Sequence, residues 1–262
     1  MESNFHTHTE RCLHAYGKER DYAEYAADIK MKILGFSDHA PFPDKDYGLR
    51  MQFGELGDYI GEINRLKAEM QGSLTLYSGL EIEYIPKYID YYKKLYDEYG
   101  LDYLILGEHM YANRHGSLRN IYFAETTEDY IDYARNVQEG AASGFFSMIA
   151  HPDLMFLNEF PWDKNCEKAC DIILLAAEKY DLPLEFNING VRKGKKMFPD
   201  GMRFPYPHEK FWRQLSGSKQ KVMLGCDCHT PEQLNDSAVG ESEKICRELR
   251  LNIINNLFEE EK

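Results

Sequence analysis

Seven short, β-rich runs recur along the chain, and most of them are followed by a longer stretch with helical spacing. Strands that alternate with helices in this way predict a parallel sheet of the α/β class. The predicted strands cover 4–8, 32–39, 74–84, 101–109, 145–151, 182–190 and 221–229. The predicted helical stretches cover 21–31, 55–71, 87–99, 127–142, 164–180, 207–216 and 232–258.

The length and the helix pattern fit one barrel-shaped domain. α/β barrels of about 250 residues are often single domains, and this chain has 262 residues. In the stretch 55–71, apolar residues recur at helical spacing, as in a helix with one face against a sheet. No linker rich in Pro, Gly or Ser and no repeat of about 20–50 residues divides the sequence, so we expect one domain over 1–262.

Side chains of the types that bind metals occur at or near the ends of six of the seven predicted strands. Active sites of α/β barrels form at this carboxyl-terminal face. His6 and His8 are two residues apart, so they project from the same side of an extended chain. His14 follows the first strand, where a loop could fold it back over the rim. The set at the strand ends is His6, His8, His39, Glu81, His109, His151, Asp227 and His229.

The charge balance argues against a nucleic-acid partner, because the net charge is −13 and duplex-binding proteins usually carry a basic face. An acidic chain with a metal centre better suits a small substrate. No run of about 18 apolar residues predicts a membrane span, and the N-terminus lacks the apolar core of a signal peptide. The six cysteines form no zinc-ribbon pattern, so we expect reduced thiols and a cytoplasmic location.

Six short motifs in order carry a family resemblance. "HTH" at His6, "SDH" at His39, "GLEIE", "LGEH", "IAHPD" and "CDCH" resemble the polymerase and histidinol phosphatase (PHP) superfamily. "HTHTERCLHA" together with "GFSDHAPF" is most similar to its histidinol-phosphate phosphatase branch. The resemblance extends from Phe5 to about His229. It implies a distorted (β/α)7, TIM-like barrel with a metal site at the C-terminal rim of the strands.

The resemblance also implies a ligand set. Spacing alone leaves Glu81 and Glu83 as alternatives, since both point to one face, and the resemblance favours Glu81. We expect two or three divalent transition metals, for which zinc, manganese and iron are the candidates. The residues expected closest to the catalytic chemistry are Glu81, Asp227 and His229. The implied sets are His6, His8, Glu81 and Asp227 for one metal, Glu81, His109 and His151 for a second, and His14, His39 and His229 for a third.

Two positions depart from the family pattern. Glu108 precedes His109, where a small neutral residue is expected. The residues after "HPDL", 155–158, are not basic, although relatives often carry basic residues there. Both departures bear on the substrate more than on the metals.

A phosphate monoester needs positive charge beyond the metals. The most basic run of the chain is 190–196, which follows the sixth predicted strand, and Arg192 is its expected phosphate contact. Lys195 and Lys196 fit an ordinary solvated loop. His208 is a candidate substrate contact, although a surface position is the alternative reading. Asp38 and Asp153 flank expected ligands, so either is a candidate to orient a histidine or to donate a proton.

The implied reaction is hydrolysis of L-histidinol phosphate to L-histidinol and phosphate, a step of histidine biosynthesis. One alternative is another PHP-type phosphoesterase, such as a nuclease or a protein-tyrosine phosphatase. The acidic charge and the lack of an appended polymerase domain weigh against a nuclease. The other alternative is a non-catalytic metal-binding module. The sequence leaves the oligomeric state open.

Overall fold

The computed structural model describes residues 1–258, and its largest sheet contains eight strands that all pair in parallel. In spatial order they are β1 (Ser3–Asn4), β2 (Ile33–His39), β3 (Thr75–Ile82), β4 (Tyr103–Leu106), β7 (Met148–Ile149), β8 (Leu184–Asn187), β11 (Lys221–Gly225) and β12 (Asn252–Ile254). A parallel bridge between Thr7 and Cys228 joins the two sides of the curled sheet. The result is a distorted α/β barrel, as predicted.

Two antiparallel hairpins extend the loops at the carboxyl ends of the strands. The first is formed by β5 (Met110–Ala112) and β6 (Leu118–Asn120), which follow β4. The second is formed by β9 (Lys196–Phe198) and β10 (Gly201–Arg203), which follow β8 and a short helix. The sequence patterns did not predict these hairpins, because each of their strands is only three residues long.

Eight helices lie among the described residues. They are α1 (Glu19–Asp28), α2 (Leu56–Glu69), α3 (Ile89–Asp97), α4 (Glu128–Ser143), α5 (Lys164–Lys179), α6 (Ile188–Arg192), α7 (Glu209–Trp212) and α8 (Ser237–Leu249). Aspartate side chains cap the N-termini of two of them: Asp163 accepts hydrogen bonds from the first free backbone N–H groups of α5, and Asp236 does the same for α8. Between residues 1 and 258, no helix is long and apolar enough to cross a membrane.

Apolar side chains fill two layers. A small cluster inside the barrel contains Phe5, Tyr103, Ile105 and Met148. A much larger layer separates the sheet from the surrounding helices, and all five buried side chains of α2 belong to it. Because the barrel interior is a packed core, the functional groups are confined to the rim.

Two helical predictions need correction. The stretch 232–258 is not one helix: α8 ends at Leu249, Arg250 has a left-handed backbone (φ 53°), and β12 follows. There Ile253 pairs with β11, so the end of this stretch completes the sheet. The stretch 207–216 contains only the single turn of α7 and a following 3-10 turn over Arg213–Leu215.

Candidate metal centre

The carboxyl ends of the strands surround a buried group of imidazoles and carboxylates. β2 ends at His39, and Glu81 is the penultimate residue of β3. His6 and His8 follow β1 and are fully buried. The other members lie in the loops after β1, β4, β7 and β11, and they are His14, His109, His151, Asp227 and His229. The fold thus brings all nine predicted residues to one rim of the barrel.

Glu81 lies in the middle of this group. Its Oε1 is 2.6 Å from His151 Nε2 and 3.6 Å from His109 Nε2. Its Oε2 is 2.9 Å from His39 Nδ1 and 3.4 Å from His6 Nε2. Burial raises the pKa of Glu81, but the imidazoles, His109 foremost, more than offset this and hold the pKa well below its usual range. Glu81 therefore supplies a negative charge to histidines on both sides.

Two ring nitrogens face each other across the centre. His6 Nδ1 is 2.6 Å from Glu185 Oε1, so Nδ1 is the donor, and Nε2 presents a lone pair when the ring is neutral. That Nε2 is 3.0 Å from His8 Nε2 and 3.7 Å from Asp227 Oδ1. Burial lowers the pKa of His8, but Asp227 and Asp38 raise it to about 9. These atoms are arranged to share a cation, which is a proton or a metal ion.

Buried atoms without partners mark the same place. Within residues 1–258, three buried atoms of the centre have no hydrogen-bond partner of good geometry: His8 Nδ1, His151 Nδ1 and Glu81 Oε2. An unsatisfied buried polar group costs about 1–3 kcal/mol. A cation near Glu81 Oε2 would remove part of that cost, and imidazole nitrogen with carboxylate oxygen is a donor set accepted by zinc, manganese and iron. The residues present therefore fit divalent transition metals.

A second group of imidazoles lies nearer the solvent. His14, His39 and His229 each offer a ring nitrogen, and these atoms lie within 4.8 Å of one another. Burial lowers the pKa of His229 to about 4 and lowers the pKa of His14. Neutral rings present the lone pairs that a metal needs, so this trio coincides with the third predicted set. Metal binding by each individual residue stays a prediction.

Two of the predicted ligands lie on unusual backbone. His151 has φ 28° and Asp227 has φ 44°. Residues other than glycine seldom have positive φ angles. Such conformations persist only where the surroundings enforce them, and they cluster at functional sites. Asp227 Oδ2 accepts hydrogen bonds from Asn187 Nδ2 and Asn189 Nδ2, both at 3.2 Å, which fix the carboxylate toward the histidines.

The structure separates the roles of Glu81 and Glu83. Glu83 is buried and its carboxylate forms a two-pronged ion pair with Arg50, at 3.0 Å and 3.2 Å. Burial raises the pKa of Glu83, but Arg50 and His109 lower it to about 2. Glu83 Oε1 is also 3.5 Å from His109 Nδ1. Glu83 thus lies beside the centre and contacts it through His109, whereas Glu81 lies inside.

A carboxylate approaches the outer nitrogen of three histidines. Such partners fix the tautomer and the orientation of ligand imidazoles. The sequence suggested this role for Asp38 but not for Glu185, whose only signal is a charged residue within the apolar run "LPLEFN". The pairs are His6 Nδ1–Glu185 Oε1 at 2.6 Å, His8 Nδ1–Asp38 Oδ1 at 3.6 Å and His109 Nδ1–Glu83 Oε1 at 3.5 Å.

A cavity of about 650 Å³ opens over the centre. Its wall contains six members of the centre together with Glu83, Arg50 and the buried Tyr206, and on the more exposed side Tyr47, Leu49, Tyr122 and Phe123. Lys193, which follows α6, is a second cation in this wall. The cavity is thus charged at its floor and aromatic at its mouth.

Arg192 and His208 are not part of the described wall of the cavity. The Arg192 guanidinium donates to the Asp236 carboxylate at 2.6 Å and to the backbone oxygens of Cys226 and Gln233 at 3.2 Å. His208 is buried and caps α7 by accepting a hydrogen bond from Lys210 N. Both side chains are engaged in holding the fold, so the structure does not bring them to a substrate.

The residues that depart from the family pattern also point into the protein. Glu108 is buried, accepts a hydrogen bond from Tyr84 N at 3.0 Å, and has its pKa raised well above the usual value by burial. Met155 and Phe156 lie in a buried 3-10 turn, so this segment belongs to the core. Asp153 accepts a hydrogen bond from Trp212 Nε1 at 3.0 Å, which gives it a structural partner instead of a ligand histidine.

A parallel α/β barrel with histidines and carboxylates at the carboxyl ends of its strands defines a barrel metalloprotein whose centre is built for divalent cations. The model of one such family, the PHP domain, matches residues 4–189. This chain therefore belongs to the PHP family.

Known proteins that resemble the chain agree with this assignment. It is 32% identical over 237 residues to a protein of Deinococcus radiodurans named "Probable histidinol-phosphatase", and the match covers 87% of this chain and 86% of that protein. It is 27% identical to the histidinol-phosphatase of Bacillus subtilis, over 86% of this chain and 92% of that protein.

The fold has a counterpart among solved structures. The histidinol phosphate phosphatase of Lactococcus lactis, solved with zinc, L-histidinol and phosphate, superposes with a TM-score of 0.66. The match covers 97% of this chain and 95% of that chain at 17% identity. At this identity the likeness establishes the shared barrel fold.

Proposed function

We propose that this chain is a metal-dependent phosphomonoesterase that hydrolyses L-histidinol phosphate to L-histidinol and phosphate. The observation that carries the proposal is the complete centre of seven imidazoles and two carboxylates, which lies under an open cavity. The relatives from D. radiodurans and B. subtilis, matched over most of their length, are named for this activity. The reaction belongs to histidine biosynthesis, and the six free thiols agree with a cytoplasmic location.

Two or three divalent metals, with zinc as the first candidate, are part of the proposal. The L. lactis structure was solved with zinc, and the donor set here suits that ion. Glu81 would bridge two metals, one with His6, His8 and Asp227 and the other with His109 and His151. His14, His39 and His229 would hold a third. When bound, such ions lower the pKa of water and offset the charge on phosphoryl oxygens.

The chain's own residues prepare the centre for a phosphate monoester. Asn187 and Asn189 hold Asp227 in place, and Glu81 keeps its charge between two groups of histidines. Lys193 is the exposed cation of the cavity wall, whereas Arg50 is already paired with Glu83. We therefore assign the protein's contact to the phosphoryl group to Lys193 in place of Arg192.

The outer part of the cavity suits a leaving group that carries a planar ring. The ring of Tyr122 lies nearly parallel to that of His109, at 11° with centroids 6.3 Å apart. Phe123 and Leu49 are exposed at the same mouth. Aromatic walls bind planar rings by stacking, so an imidazole fits here. The volume is in the range of about 300–1,000 Å³ typical of small-molecule sites.

The activity is tested by phosphate release from L-histidinol phosphate, with p-nitrophenyl phosphate, a phosphotyrosine peptide and single-stranded DNA beside it. We expect a clear preference for L-histidinol phosphate, complete loss after treatment with a chelator, and recovery when zinc or manganese is restored. Elemental analysis should find two or three metals per chain. A preference for the peptide or the DNA would identify another PHP-type phosphoesterase. Metal binding without any hydrolysis would identify a binding module.

The phosphate contact has its own test. Lys193→Ala should lower kcat/KM about ten- to hundredfold, the effect of losing a charge-assisted contact, and should weaken inhibition by phosphate in parallel. Metal content should not change. Lys195→Ala is the matched control, because Lys195 is exposed and packs against the Phe204 ring outside the cavity wall. If Arg192→Ala raises KM and Lys193→Ala does not, the assignment returns to Arg192.

A further inference from the structure

Glu185 is a fully buried carboxylate in the middle of β8. An ionised carboxylate in such a place is costly unless it is paired and hydrogen-bonded. Its Oε1 is 2.6 Å from His6 Nδ1, and its Oε2 accepts hydrogen bonds from His151 N at 2.8 Å and Asn187 Nδ2 at 3.0 Å. Each oxygen of Glu185 therefore contacts a residue of the metal centre, His6 in one case and His151 in the other.

The neighbouring strand leaves room for this carboxylate. Gly225, at the end of β11, lies so close that a Cβ atom there would be 1.7 Å from Glu185 Oε1 and 2.5 Å from its Cδ. No real side chain tolerates such contacts, so the glycine is a condition for the position of Glu185. The Glu185 carboxylate thus occupies a space that the absence of a side chain at Gly225 provides, between the adjacent strands β8 and β11.

We infer that Glu185 is a positioning residue, which holds the proton of His6 on Nδ1 and thereby presents the Nε2 lone pair to the metal centre. A histidine binds a metal through the nitrogen opposite its hydrogen-bonded N–H, so the outer partner selects the inner ligand atom. The same carboxylate holds the backbone of His151. Glu185 therefore links the two ends of the centre, one after β1 and the other after β7.

The change Glu185→Gln tests whether Glu185 positions the His6 proton or only fills space in the core. The amide has the same shape, but one of its two ends is now a donor. The backbone N–H of His151 can only donate, so the amide oxygen must face it. The amide NH2 then faces His6 Nδ1, which becomes the acceptor, and the ring proton moves to Nε2. The variant thus turns an N–H toward the place where the metal should bind.

The inference rests on the proposed metal centre and is measured on metal binding. Zinc affinity and stoichiometry are determined by equilibrium dialysis of the metal-free protein, and long-range 1H–15N NMR of the zinc-loaded protein reports the tautomer of His6. In Glu185→Gln we expect zinc affinity to fall about 10–100-fold at one site, the usual effect of removing an outer partner. We expect the His6 proton on Nδ1 in the parent, and in the variant on Nε2 of a His6 ring that no longer binds zinc.

Glu19→Gln is the matched control. Glu19 is also a buried glutamate, but its carboxylate pairs with Arg11. Its variant should bind zinc as the parent does. Parental zinc affinity in Glu185→Gln, or a His6 proton that stays on Nδ1, overturns the inference. A parent protein that binds no zinc would instead refute the proposed metal centre.

Folding of the metal-free variants is checked by thermal unfolding. If Glu185→Gln does not fold, Glu185→Asp decides, because removal of one methylene withdraws the carboxylate from His6 Nδ1. Its zinc affinity should again fall by at least about tenfold. Unchanged affinity in Glu185→Asp overturns the inference as well.

Discussion

Gly107 is a position where a minimal change would reach the centre directly. It follows β4 and precedes His109 by two residues. A Cβ atom at this position would lie 2.2 Å from Glu81 Oε1, 2.4 Å from its Cγ and 2.5 Å from its Cδ. All three atoms belong to the side chain of Glu81, whose carboxylate lies in the middle of the centre. Gly107→Ala therefore adds one methyl group where Glu81 already stands.

The size of the effect follows from these distances. Ordinary contacts of a Cβ atom begin at about 3.4 Å, so Glu81 or the strand must move by about 1 Å. Overpacking of this kind usually costs about 1–3 kcal/mol of unfolding free energy. A displacement of about 1 Å at a catalytic group can cost on the order of 100-fold in rate. We therefore expect a folded but weakened protein with about 1% of the parental kcat/KM and a lower metal content.

Three measurements check this expectation: kcat/KM for L-histidinol phosphate, metals per chain by elemental analysis, and unfolding in urea. Gly61→Ala is the control, since Gly61 lies on the exposed face of α2 and, apart from its chain neighbours and the backbone of its own helix, no atom lies within 4 Å of its Cβ position. Alanine there should stabilise the helix by about 0.5–1 kcal/mol and leave activity unchanged. If Gly107→Ala keeps the parental kcat/KM and metal content, Glu81 is not confined as we describe.

Three further predictions concern buried charges. Glu81→Gln should lose nearly all turnover and most of the bound metal, and a variant with normal metal content would show that another carboxylate holds the centre. Glu83→Gln should lower the unfolding free energy by about 3–5 kcal/mol, because Arg50 is left as an unpaired buried cation, and replacing both residues by apolar ones should recover much of the loss in urea titrations. Burial, reinforced by Arg203, lowers the pKa of His208 from 6.5 to about 4. The unfolded chain therefore binds this proton first, and stability falls as the pH drops from about 6.5 to about 4, by up to about 3 kcal/mol. Urea unfolding of His208→Gln should show a smaller loss between pH 7 and pH 5 than the parent, and equal losses would contradict the assignment.

The sequence by itself indicated the α/β class and the set of residues that lie together at the rim of the barrel. Alternation of strands and helices specifies a parallel sheet, and parallel strands present all their carboxyl ends at one rim. Ligand-type residues at those ends, such as His39 and Glu81, must therefore meet. This inference needs only local periodicity and the chain direction, and both can be read from a single sequence.

The tertiary structure decided which charges are free to act. Glu81 and Glu83 point to the same face, so their spacing does not distinguish them, but in the fold Arg50 pairs with Glu83 and leaves Glu81 among the histidines. Arg192 is basic and near a strand end, yet Asp236 and two backbone oxygens, all more than 30 positions away along the chain, engage its guanidinium. Glu185 reaches His6 across 179 positions. A side chain's role depends on which partners fold against it, and those long-range pairings leave no periodic trace in the sequence.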